Sequence, residues 1–164
     1  MDLHSFAGPL LAALNADIVR EARVADFYTA LAGIARAYRN SSACRQFAVC
    51  AATALSNATA LAAQVMILGG SPPLAPLAQP DPLPPPSSVE EHLIDARADL
   101  AHYQARLASA ARLGLLGLVE VLETIVLSKK RHLEHSSAIA SAWTLRRGSQ
   151  PGSGKSPRRP SSNE

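Results

Sequence analysis

Eight prolines fall within fifteen residues: Pro72, Pro73, Pro76, Pro80, Pro82, Pro84, Pro85 and Pro86. Proline lacks the amide hydrogen that helices and central strands need, so no regular element can run through this stretch. The chain is therefore cut into two halves joined by segment 70–87. As extended polyproline-like chain that segment advances roughly 3 Å per residue, enough to travel the length of a helix of about 27 residues.

Each half has the marks of a helical hairpin. Aromatic residues make up 4 % of the 164 residues, β-branched residues are sparse, and Ala and Leu abound, which favours helices and excludes an all-β fold. The first predicted helix starts near Pro9, a residue suited to a first helical turn, and ends near Tyr38. Asn40, Ser41 and Ser42 form a short connection rich in capping residues. A second helix is predicted from Ser42 to Leu68, where Gly69-Gly70-Ser71-Pro72 ends it. The third begins at Ser87, with Ser87 and Glu90 spaced as a capping box, and continues to Leu113. Gly114 and Gly117 mark a tight turn, and the fourth helix is predicted from Leu118 to Leu145. Two short hairpins joined by one long crossover give an all-α four-helix bundle of the ferritin-like connectivity. Its bounds are residues 1–145, with a disordered tail over 146–164.

Spacings of three and four place one stripe of each helix in the core. On the first it is Leu11, Leu14, Ile18, Glu21, Ala25, Tyr28, Ala32 and Ala35; on the second, Phe47, Cys50, Ala54, Asn57, Leu61, Gln64 and Leu68. The third gives Leu93, Ala96, Leu100, Tyr103, Leu107 and Ala110. The fourth gives Leu118, Leu122, Ile125, Lys129, His132, Ser136, Ile139 and Trp143. Glu21 and Lys129 thus occupy inward positions, and an ammonium in a core needs a partner. The stripes pair it with Glu21, with Asn57 and His132 completing a polar layer. Asp99, His102 and His135 are read as surface residues, Asp99 and His102 as a pair one turn apart.

Charge excludes a basic face on the body. Of the 16 Lys and Arg, five (Arg146, Arg147, Lys155, Arg158, Arg159) lie in the tail, leaving eleven against twelve acidic residues in 1–145. Nucleic acid would therefore bind through the tail. Cys44 and Cys50 sit about 120° apart around a helix and cannot bridge locally. The N-terminus lacks the charged start of a secretion signal, which with the free thiols implies a cytoplasmic protein. No charge occurs between Arg45 and Asp81, and Phe47 to Leu68 is long enough to span a bilayer. It is Ala-rich, however, and carries Thr53, Ser56, Asn57, Thr59 and Gln64, which suits the interior of a bundle, so no membrane partner is expected.

The segments LNADIVREARVADFY, ILGGSPP, SSVEEHL and KKRHLEH resemble bacterioferritin, in a register that agrees with the stripes. Such proteins build a di-iron centre from one Glu on each of two helices and a Glu-x-x-His pair on each of the others. The resemblance places these ligands at Glu21, at Ala54 and Asn57, at Leu100, and at Lys129 and His132. Only Glu21 and His132 keep the ligand type, so they are the candidate metal residues, and Ala54, Asn57, Leu100 and Lys129 form a degenerate site layer. Leu55 stands where the family has its haem-binding Met, so haem is not expected, and Tyr28 matches the tyrosine beside the metal site. Iron prefers oxygen donors whose negative charge offsets its own, and one carboxylate beside a lysine does not supply that. No cofactor is expected, iron being the one such a remnant could still take.

The resemblance therefore implies a divergent shell or interaction subunit of iron storage or homeostasis, without a competent ferroxidase centre. Its partners would be copies of itself or another ferritin-like subunit. The alternatives are an active iron-oxidising protein with atypical ligands and a tail-mediated nucleic-acid-binding module.

Overall fold

The computed structural model describes residues 3–73 and 88–148. Four helices fill them: α1 (Leu3–Ala37), α2 (Ser41–Ile67), α3 (Ser88–Arg112) and α4 (Leu116–Gly148). No strand occurs among the described residues. The Ser87–Glu90 capping box, the proline segment 74–87, the side chains of His135, Ser136, Ile139 and Trp143, and the tail from 149 lie outside what is described.

Two antiparallel hairpins, α1–α2 and α3–α4, pack side by side. The cross-bundle contacts fix their sense. Arg20 meets Asp99 while Asp17 meets Arg106, so α1 and α3 run antiparallel. Asn57 meets Ser128 on α4, and Gln64 lies beside Gly117, so α2 and α4 are antiparallel as well. Helices α2 and α3 therefore run the same way, and the chain must return along the bundle between them. This is the long-crossover architecture that the prolines predict.

The helix ends follow local chemistry. At the α1–α2 turn Arg39 takes a left-handed φ of 54°, and the Asn40 side chain then caps α2 by accepting from the Ala43 amide at 3.1 Å. Gly69 (φ 79°) ends α2 and Gly114 (φ 69°) turns α3 into α4, both in the left-handed region that glycine adopts without strain. Gly70 leaves room for a neighbour: a Cβ there would stand 2.7 Å from a methyl of Leu11, and that side chain would have to shift.

Three boundaries differ from the sequence reading. α1 begins at Leu3, with Pro9 inside it rather than at its start. The turn needs only Gly114, so α4 opens at Leu116 and already contains Gly117, and it runs to Gly148 rather than to Leu145.

The stripes are where spacing puts them. Leu14, Ile18, Glu21, Ala25, Tyr28, Ala32 and Ala35 are all buried on α1, as are Ala54, Asn57 and Leu61 on α2. Ala96, Tyr103 and Ala110 on α3 and Leu118, Leu122, Ile125 and Lys129 on α4 are buried too; Ala58, Val65 and Val126 are buried beside the stripes, and Phe47, Cys50, Gln64 and Leu68 are half-buried. Of the described helices, α2 alone is long and apolar enough to cross a membrane. Its inner face meets α1 and α4, while Leu55, Met66 and Ile67 are exposed on its outer face and Val49 is exposed at the edge of the cleft toward α4.

Candidate functional site: a charged layer between the helices

At mid-height every helix turns a polar side chain inward. Glu21 is fully buried on α1, and Lys129 on α4 is 7 % exposed. The Lys129 ammonium donates to Glu21 Oε1 at 2.5 Å, and the Tyr103 hydroxyl of α3 donates to the same oxygen at 2.9 Å. Asn57 Nδ2 of α2 donates to Oε2 at 3.0 Å and lies 3.2 Å from Ser128 Oγ, which in turn donates to the Ile125 carbonyl at 2.8 Å. Both carboxylate oxygens are thus satisfied from three helices, the condition under which a buried charge is tolerated. Lys129 Nζ also sits 5.5 Å from the Tyr103 ring centre, within cation–π range.

Burial is the main force acting on the Tyr103 phenol, with the charges of Glu21 and Asp17 adding to it, and together they push its ionisation well above the ordinary tyrosine range. Tyr103 therefore keeps its proton and acts in this layer as a hydrogen-bond donor.

His132 lies one helical turn beyond Lys129 on α4. Its Nε2 shares a 2.5 Å hydrogen bond with the Tyr28 hydroxyl, and the two rings meet edge to face at 4.7 Å. His132 thereby joins an aromatic group in which Tyr28 also faces Phe47, and it lines the same cleft as Glu21, Asn57 and Lys129. Ala54 is buried beside Asn57 and offers no donor atom. Leu100 packs against the apolar core. Leu55, at the position of a haem ligand in the resembled family, is exposed on the outside of α2.

A second charged group joins α1 to α3, and the sequence reading missed most of it. Asp17, fully buried, accepts from Arg106 Nε at 3.1 Å and meets His102 Nε2 at 2.7 Å. Arg20 donates to Asp99 at 2.6 Å, and that bond, outweighing partial burial, raises the Arg20 guanidinium further above its ordinary value. Asp99 and His102 are therefore not a surface pair on one helix; each reaches across to a different α1 residue. The available signal was position: Asp17 follows Leu14 by three and precedes Glu21 by four, and Asp99 stands likewise between Ala96 and Tyr103. An inward face wider than about 100° admits both Asp17 and Ile18, and both Asp99 and Leu100, without any shift of register.

A di-iron centre does not fit these residues. Glu21, the one carboxylate at the six matched positions, already receives three donors, one of them a fixed ammonium that would repel a cation. Among the described residues no three His, Cys, Asp or Glu side chains are gathered as a metal ion would need. A cleft of about 550 Å³ between α1, α2 and α4 leads from the surface to Glu21, Asn57 and Lys129.

The architecture matches a solved structure titled as a ferritin-like, diiron-carboxylate protein from Bacillus anthracis strain Ames. The TM-score is 0.67 and the identity 22 %, covering 85 % of this chain and 99 % of that one. The fold is ferritin-like. No protein-family model matches the sequence, and no curated protein matches it.

Proposed function

We propose that this protein is a ferritin-like subunit that contributes structure and contacts, in iron storage or homeostasis, and does not itself oxidise iron. One observation carries the reading: the Lys129 ammonium lies 2.5 Å from Glu21 in the layer where the resembled family gathers its metal ligands. A charge built into the chain neutralises the carboxylate that an iron ion would otherwise hold.

The reading includes self-association, or assembly with another ferritin-like chain, through the outer face of α2. Leu55, Met66 and Ile67 leave that face apolar, and no charged residue occurs from 46 to 80. Apolar faces of this kind are the common material of subunit contacts. A cytoplasmic location follows from the same reading, with α2 covered by protein rather than lipid.

The test is to add Fe(II) to the purified protein, then follow oxidation optically and count bound metal. The expected result is no saturable pair of irons and no catalysed oxidation. Two irons per chain with turnover would refute the reading. A mass of 17.2 kDa at all micromolar concentrations, alone and with a ferritin-like partner, would refute its assembly component.

A further inference from the structure

The cleft that reaches the Glu21–Lys129 layer is unusual in charge. Its wall includes Arg45 and Gln46 from α2 and Arg131 and His132 from α4, with Lys129 at its floor. Glu21 is the one acidic residue lining it, and Lys129, Tyr103 and Asn57 already neutralise and saturate that group. Arg45 and Arg131 are exposed, and among the described residues neither has a carboxylate within ion-pair distance. The cleft between α1 and α3 provides the contrast: Arg20 and Arg23 there face Asp95 and Asp99, so its charges balance.

Between the two unpaired guanidinium groups and the floor the wall is mainly apolar, formed by Val24, Val49, Cys50 and Ala54. Burial pushes the pKa of the Cys50 thiol up, which keeps that wall neutral. A volume of about 550 Å³ lies within the ordinary range of small-molecule sites. Guanidinium forks bind oxygen anions through paired hydrogen bonds, and a low-dielectric wall beside them strengthens the field.

We infer that this cleft binds a small organic anion, its carboxylate or phosphate head held by Arg45 and Arg131 at the mouth and its short apolar body lying against Val24, Val49 and Ala54. The inference rests on the reading above, since a metal centre at Glu21 would alter both the floor and its charge.

Calorimetric titration of the full chain tests this with three probes: octanoate, which has head and body; octan-1-ol, which has the body alone; and inorganic phosphate, which has the head alone. One octanoate should bind per chain, with the other two at least about tenfold weaker, because each lacks half of the recognition. Arg45→Glu and Arg131→Glu, both at exposed positions, should each weaken octanoate about tenfold or more while leaving the thermal transition in place. Absence of saturable octanoate binding, equal binding of the alcohol, or indifference to both charge reversals would overturn the inference. Iron is counted in the same samples. Two irons per chain would overturn the subunit reading, whereas iron-free protein that ignores octanoate would overturn this inference alone.

Discussion

Near the Gly70 and Gly114 turns the four helices meet through Leu14, Leu61, Val65, Ala110, Leu118 and Leu122, with side chains almost fully withdrawn from water. Two helical turns higher, about 10 Å along α1, the corresponding inward positions hold Glu21, Asn57, Tyr103 and Lys129, which are buried as well. Burial is the same in the two regions and its energetics are opposite. Each leucine of the lower layer contributes roughly 1.5–3 kcal/mol by leaving water, with no requirement on which neighbour it meets. Each charge in the middle layer loses hydration and is tolerable only with its own partner, so that layer adds specificity more than stability. What a mutation does should therefore depend on the layer: graded losses below, and all-or-none pair effects above.

The sharpest way to break that comparison is Lys129→Met. It leaves Glu21 buried with only neutral donors and should destabilise the fold by about 3–5 kcal/mol. Adding Glu21→Leu should restore most of the loss, because an ion pair replaced as a unit by apolar groups is close to neutral. A double-mutant cycle in denaturant measures the coupling; additive losses would show that the two charges act separately. In the lower layer, Leu122→Ala should cost about 2–5 kcal/mol through lost transfer energy and a cavity, and no second substitution in the charged layer should rescue it.

Tyr103→Phe is smaller, about 1.5–3 kcal/mol, for one hydrogen bond to a charged acceptor. It carries a pH signature. The native phenol holds its proton where an unfolded tyrosine, near pH 10, releases it. The folded state then binds more protons than the unfolded one, so stability contributed by this group is complete below about pH 10 and declines as pH rises beyond it. Chemical denaturation between pH 8 and 11 should show that decline in the parent protein and a shallower one in the Phe variant. The smallest effect belongs to Arg20→Ala. Its side chain is 42 % exposed, and a pair screened by water to that degree is worth at most about 1 kcal/mol. A loss as large as that of Lys129→Met would erase the distinction between the outer and inner ion pairs.

The four-helix order and most inward positions were legible because spacing of three and four is imposed by the helix itself, and because the prolines could belong only to a connection; Ala58, Val65 and Val126 are buried beside the stripes. The Glu21–Lys129 pair was legible for the same reason, as two opposite charges on facing stripes. Asp17 and Asp99 were missed because each lies beside an apolar stripe member, Ile18 and Leu100, and a one-dimensional stripe admits only one of two adjacent residues. Whether the face is wide enough for both depends on how far apart α1 and α3 stand, and that distance is set by long polar side chains meeting across the gap. Pro9 misled in the other direction: a proline signals a helix start by local preference, yet α1 extends back through it to Leu3.

The α1–α3 contacts also act as an index mark between the two hairpins. Asp17 meets His102 and Arg106, Arg20 meets Asp99, and Glu21 meets Tyr103, each a match of one residue to its particular counterpart. Leucines could slide past one another by a helical turn, about 5 Å, and still find apolar neighbours. These groups could not, since one such step would pull the buried carboxylates of Asp17 and Glu21 away from their donors at once. The seam thus fixes the axial position of one hairpin on the other, and in doing so it determines where along the bundle Lys129 and Glu21 face each other.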